Sequence, residues 1–412
     1  MRRKEMKASR SNFNYFIELP LRPKPILTPI IFSLNMHCPD YTKLDQKTFE
    51  IAGVVETNLL KFINPQNMEE QKLKFFEAIE RNEEHNPKFS YIPRNPDYAY
   101  FQAGSKLDTF KSELTELLKE VGRDELGIVF ESEIIDLIEK IELIKSIGTE
   151  NFSGNSEAYY GGIERKSVSA AKKVLQSDEK QYEERISFDA AINLIKARLK
   201  KDKLNYKITI REPAGARFAV INSRHEILIN KDTEFTKEMV ARFIAHEIEA
   251  HIYRYENGFR QPYKLLAHGF SRETTETEEG LAATVEKLSG VSSQKQIKEY
   301  AGRLIAINEA QTKSFFDTYT EMAKYFDREA AFRLTIRAKR GINDQTKGGA
   351  FFKDALYFNG MLKVEEFLKT HELRELYYGK YSVHDLPLVK QLPGLKEPTY
   401  LPNCIAKISK QN

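Results

Sequence analysis

Ala245-His246-Glu247-Ile248-Glu249-Ala250-His251, flanked by Ile244 and Ile252, carries an isoleucine at every fourth position, the pattern of one apolar face on a buried helix. Its polar residues are two histidines and two glutamates. Neutral imidazoles offer nitrogen to Zn²⁺, and a carboxylate beside the first can take a proton from a water on the ion. The spacing matters, because residues five apart on a regular α-helix point about 140° from one another, against about 40° for residues four apart. Both rings can face one ion only if the helix widens into a π-type turn, a distortion that concentrates at functional sites. The competing reading is two half-buried histidines on an amphipathic helix. His225-Glu226 and His371-Glu372 have no second histidine at a usable distance and read as structural.

A catalytic zinc takes a third protein ligand and keeps a fourth position open. His268 is one candidate, and the stretch Thr275-Glu276-Thr277-Glu278-Glu279-Gly280-Leu281-Ala282-Ala283 is a better one. There a helix carrying carboxylates continues into small residues that allow a neighbouring helix to come close. Glu279 shares a face with Ala282, Ala283 and Glu286, whereas Glu278 lies over the apolar stripe of Leu281, Val285 and Leu288. Spacing therefore favours Glu279. A solvated acidic first turn that complements the helix dipole is the alternative.

Outward from this core, residues 206–210, 217–221 and 226–229 are short, β-branched runs separated by turn residues, and predict a small antiparallel sheet. The run 226–229 stands directly before the histidine helix, either as an edge able to pair with an extended peptide or as an interior strand. Helical spacing is expected over 46–81 with a break at Asn64-Pro65, and over 107–120, 133–146, 164–176 and 187–200. It resumes after Asp232 and runs to about Tyr378. Residues 151–162 (NFSGNSEAYYGG) read as a polar loop. The expected class is α+β, predominantly helical, with the sheet packed over the zincin-like HExxxH helix. We expect an extended Pro-rich arm over 1–42, an N-terminal helical region over 43–202, a metallopeptidase core over 203–385 and a tail over 386–412.

The chain has 412 residues, with 41% hydrophobic and 30% charged residues, 26 Phe, 20 Tyr and no Trp, a composition that folds. Its 64 basic and 60 acidic residues leave a net charge of +4, which gives no reason to expect nucleic acid or a membrane as partner. Cys38 and Cys404 are far apart and form no Cys-x-x-Cys pair, so a thiolate zinc site and a disulfide framework are excluded. The apolar run Ile26 to Met36 is too short to span a bilayer and contains Pro29. These features lead us to expect a cytoplasmic protein.

HEIEAH is followed by Asn257-Gly258-Phe259-Arg260-Gln261-Pro262 and then by the run 278–286, EEGLAATVE. Together they resemble the proteins named for a QEGLA motif, which belong with the eukaryotic microtubule-associated tyrosine carboxypeptidases. That family was long labelled a domain of unknown function. Arg337-Ala338-Lys339-Arg340-Gly341, the run from Gly348 to Tyr357 and the segment from Asn64-Pro65 to Asn86-Pro87 are similar to its pattern too, and the resemblance covers roughly 45–385. It implies a zinc metallopeptidase holding one Zn²⁺ per chain on His246, His251 and Glu279, with Glu247 as general base. Glu278 stands where the name motif has Gln, so both glutamates stay candidates for the third ligand. The tubulin C-terminal tyrosine cut by the eukaryotic relatives is not transferred to this chain.

Arg337, Lys339 and Arg340 place three cations within four positions, as a substrate carboxylate would need or as a solvated helix end would show. Lys353, in the family-like 348–357 run, is grouped with them as substrate-binding. Tyr357 is either a donor to the oxyanion or a core tyrosine. The reading is a zinc-dependent metallopeptidase that removes a C-terminal residue, aromatic by family analogy, from a peptide or protein. Its rivals are a non-catalytic regulatory protein that keeps the fold, and an endopeptidase or aminopeptidase with the same centre.

Overall fold

Asp40, Ser105, Asp124, Ser187, Thr236, Ser293, Ser314 and Asp327 each accept a backbone N–H at the head of a helix, and these caps fix where the helical segments start. The computed structural model describes residues 40–92, 105–177, 184–212 and 217–405. Most of the expected 1–42 arm, Pro93 and Pro96 of the Pro-rich link, and residues 406–412 of the tail lie outside them. The front of the chain is α1 (Tyr41–Phe62), α2 (Met68–Glu80), α3 (Lys106–Leu117), α4 (Glu125–Ser146), α5 (Phe152–Tyr160), α6 (Arg165–Leu175) and α7 (Phe188–Lys201). Five strands follow or interleave: β1 (Arg185–Ile186), β2 (Lys207–Arg211), β3 (Phe218–Ile221), β4 (Glu226–Asn230) and β5 (Phe235–Thr236). Next come α8 (Lys237–Phe243), a π-helix over Ile244–Ile252, α9 (Tyr253–Phe259) and α10 (Leu265–His268). The chain continues through α11 (Arg272–Ser289), α12 (Gln294–Ala310), α13 (Phe315–Met322), α14 (Arg328–Lys339), α15 (Leu356–Phe367) and α16 (Leu386–Val389). It is a predominantly helical α+β fold, as expected, and no helix among the described residues is long and apolar enough to cross a membrane.

Residues 152–160, expected as loop, are helical. Their buried face is built of Phe152, Ser156, Tyr159 and Tyr160, a mixture of rings and a hydroxyl that carries no apolar period. Ser153 Oγ accepts from the Ala350 N–H and Ser156 Oγ from the Phe352 N–H, both at 2.9 Å, so the polar residues are consumed in docking the 350–352 segment. Gly161, at φ 83°, then ends the helix.

The sheet order is β2-β4-β3. β3 and β4 are antiparallel, joined by a 3₁₀ turn over Asn222–Arg224 that closes on His225 at φ 49°. β2 and β4 run parallel, so the sheet is mixed, and the antiparallel expectation holds for one of its two ladders. β4 is central because Ile227 and Ile229 are fully buried, whereas β2 exposes Ile210. As an interior strand with both ladders occupied, β4 offers no edge to an incoming peptide.

The π-helix is packed by α11, which in turn lies along α15. α11 and α15 meet backbone to backbone: a Cβ on Gly280 would stand 2.0 Å from the Gly360 carbonyl carbon. This contact brings Tyr357, at the start of α15, and Lys353, in the 3₁₀ turn just before it, beside Glu279. On the other side, Asn257 Nδ2 donates to the Tyr400 carbonyl at 2.8 Å, and its Oδ1 accepts from the Thr399 and Tyr400 N–H groups. Gln261 likewise bridges Tyr378 and Lys396, so the NGFRQP run anchors the described part of the tail. Gly280→Ala should destabilise the protein by about 1–3 kcal/mol or more, since neither backbone can yield cheaply. Urea unfolding midpoints check this, and an unchanged midpoint would show that the crossing is looser than described.

Candidate metal centre

In the π-helix, residues five apart lie on one side, and the His246 and His251 rings come within 4.9 Å of each other. One ligand atom each from His246, His251 and Glu279 lies within 4.8 Å of the others. The Nε2 atoms of both histidines stand 3.8 Å from Glu279 Oε2. Their other nitrogens are held by carboxylates from the same helix: His246 Nδ1 is 2.7 Å from Glu286 Oε1, and His251 Nδ1 is 3.0 Å from Glu278 Oε1. A carboxylate accepts from N–H, so each ring carries its proton on Nδ1 and turns the lone pair of Nε2 inward. α11 thus contributes three carboxylates in two roles, Glu279 to the centre and Glu278 and Glu286 behind the imidazoles.

Glu279 is buried, and among the described residues its Oε2 has no hydrogen-bond partner. Burial raises the Glu279 pKa, but the neighbouring charges, with the Lys353 ammonium foremost, draw the carboxyl below its usual range. At neutral pH this is an ionised carboxylate whose inner oxygen is satisfied by nothing among the described residues, facing two imidazole lone pairs. That donor set suits a zinc ion with three protein ligands and an open position.

Glu247 is half-buried beside His246, on which its charge acts, and among the described residues it makes no hydrogen bond or ion pair. Glu249 differs: it accepts from Arg198 Nη1 at 2.5 Å and from Asn403 Nδ2 at 2.8 Å, tying α7 and the tail to the π-helix. Tyr357 stacks on Tyr300 at 5.3 Å and lies 6.3 Å from the His246 ring, beside Glu279. Lys353 Nζ is 3.2 Å from Glu279 Oε1.

The cations of α14 do not act as one group. Arg337 and Arg340 both turn to buried Asp354, next to Lys353 in sequence. Burial raises the Asp354 pKa, but the charges of Arg337, Arg340 and Arg303 outweigh it and hold Asp354 well below the usual carboxylate range. Lys339 is not brought to the site. It is fully buried, and its ammonium donates to the Lys313 and Lys347 carbonyls at 2.7 Å, so a substrate carboxylate cannot reach it.

Residues that the sequence reading did not single out complete the centre. Tyr300 donates to Glu286 Oε1 at 2.9 Å, and Arg242 stands 3.6 Å from the same atom. Arg303 lies over the rings of Tyr357 and Tyr300, at 4.5 and 5.2 Å from their centroids. Glu286 carried a signal, since it shares a helix face with Glu279. Arg254, Arg303 and Asp354 carried none, because their partners are distant in the chain.

A family model described as microtubule-associated tyrosine carboxypeptidase matches residues 74–412. The chain is 26% identical over 354 residues to the mouse protein named microtubule-associated tyrosine carboxypeptidase 1, covering 84% of this chain and 64% of that one. The rat protein of that name is 25% identical over the same shares, and the human one 29% identical over 199 residues, 46% of this chain and 41% of its own. The chain therefore spans less than two thirds of the length of these relatives. With most of its length, including His246, His251 and Glu279, inside the matched region, the chain belongs to the microtubule-associated tyrosine carboxypeptidase family.

Proposed function

We propose that this chain is a zinc-dependent carboxypeptidase that releases one residue, aromatic for preference, from the C-terminus of a peptide or protein. The observation that carries the reading is the unpartnered Oε2 of Glu279 between two inward-facing imidazoles, with the uncommitted carboxylate of Glu247 beside them. The names of the relatives supply the direction of attack and the aromatic preference.

His246, His251 and Glu279 would hold the ion, which when bound polarises a scissile carbonyl and lowers the pKa of a water. Glu247 accepts the proton of the attacking water and returns it to the leaving amine, a transfer for which a carboxylate tied into an ion pair would be useless. The Tyr357 hydroxyl, beside Glu279, can donate to the carbonyl oxygen as negative charge develops on it. Glu278 and Glu286 keep both imidazoles in one tautomer throughout.

A carboxypeptidase must also meet a terminal carboxylate near the scissile bond. Arg303, Arg337 and Arg340 act on Asp354, and Lys353 pairs with Glu279, so four cations gather near Tyr357. Arg337 is the most exposed of the four, its side chain 25% accessible against 12% for Arg340, and a guanidinium can fork both carboxylate oxygens. We assign it the chain end, with Lys353 beside it.

Purified protein should carry about one zinc per chain, and His251→Ala should lose it while remaining folded. Elemental analysis decides this, and equal zinc in both would remove the centre. Glu247→Gln should keep zinc and fold while turnover falls by about 10²–10⁴-fold, measured on a peptide with a free C-terminal tyrosine. Amidating that C-terminus should slow release severely, and Arg337→Ala should cost about 2–5 kcal/mol in transition-state stabilisation on the free peptide and little on the amide. Equal rates on both peptides, or fragments longer than one residue appearing first, would instead indicate an endopeptidase.

A further inference from the structure

Glu278 stands one residue before the candidate ligand Glu279, and its carboxylate gathers donors from separate parts of the chain. His251 Nδ1 lies 3.0 Å from Oε1, Lys380 Nζ lies 3.1 Å from the same oxygen, and Arg254 Nη1 donates to Oε2. Arg254 is fully buried, and its other hydrogens go to one segment. Its Nε donates to the Leu376 and Gly379 carbonyls and its Nη2 to that of Tyr381, each at 2.8 Å. Lys380 belongs to that segment too, and its N–H donates to the Leu266 carbonyl at 2.6 Å. Glu286, behind His246, is supported differently, by Tyr300 and Arg242 from helices.

We propose that Arg254 and Lys380 act through Glu278 as positioning residues for His251, so that segment 376–381 sets how tightly the centre holds its metal. The inference rests on the zinc reading above. Arg254 and Lys380 fix both oxygens of Glu278. An acceptor fixed in this way selects the Nδ1–H tautomer of His251, aims Nε2 at the centre and makes it a better donor to a metal. A glutamine at 278 would serve these three donors with a single acceptor oxygen and turn its own N–H groups toward a cation.

Zinc affinity, from competition with a chromophoric chelator, is read beside thermal unfolding of the metal-free protein for wild type, Lys380→Met, Lys380→Arg, Glu278→Gln and the double variant Lys380→Met/Glu278→Gln. Lys380→Met and Glu278→Gln should each weaken zinc about 10–100-fold, and Lys380→Arg should restore most of the loss. The double variant should bind no more weakly than Glu278→Gln alone, because Lys380 acts through that carboxylate. Wild-type affinity in Lys380→Met with a lowered unfolding temperature would make the segment a structural staple and overturn the proposal, as would additive losses in the double variant. A wild-type protein that takes up no zinc would overturn the metal reading itself, and this inference with it.

Discussion

Two imidazoles five residues apart can share one side of a helix only where the backbone winds more widely than an α-helix, and between Ile244 and Ile252 it does. Ordinary α-helix precedes and follows the widened stretch, so the distortion is confined to the residues that use it. The same winding keeps Ile248 and Ile252 fully buried while it turns both Nε2 atoms toward α11. Everything else at the centre follows from that orientation. With Nε2 inward, Nδ1 of each ring must find a partner elsewhere, and α11 supplies one for each.

The centre is surrounded by buried charges that are compensated in groups. Glu278 is matched by Arg254 and Lys380, Glu286 by Arg242 and Tyr300, and Asp354 by Arg337 and Arg340. Such pairs contribute little net stability compared with apolar side chains of the same volume, yet removing one partner costs about 3–5 kcal/mol because the other is left charged and dry. Their contribution here is orientation. A carboxylate pinned by two cations cannot rotate, and an imidazole bonded to it cannot flip.

α11 joins these parts. One face carries Glu279 and Glu286 toward the π-helix, and the other meets α15 through Gly280 at a distance that no side chain would permit. Lys353 and Tyr357 reach Glu279 because of that contact. The small residues of the EEGLAATVE run and its carboxylates therefore serve a single arrangement: the first let the helices close, and the second are what they close upon.

Much of this was legible in local pattern. The histidine pair five apart called for a widened helix, the shared face of Glu279 and Glu286 favoured Glu279 as the candidate third ligand, and the short β-branched runs located all three strands of the sheet. These are properties of residues near one another in the chain, where helix and strand periods act directly on which side chains can meet. Other features depended on partners far away. The 152–160 helix hid its period because its buried face is made of rings and serines that dock residues 350–352. The parallel ladder of β2 with β4 depended on β4, the most buried strand, lying at the centre of the sheet. Lys339 belonged by spacing with Arg337 and Arg340, but residues two apart on a helix face opposite sides, and packing gave its ammonium to the Lys313 and Lys347 carbonyls. Arg254 finds its partners only in residues 376–381 and in Glu278, far from it in the chain. Sequence alone determined the candidate ligands and base, whose geometry is set by helix winding over a few residues; tertiary structure alone decided which charges stand behind them, because burial brings distant groups together and leaves each no other partner.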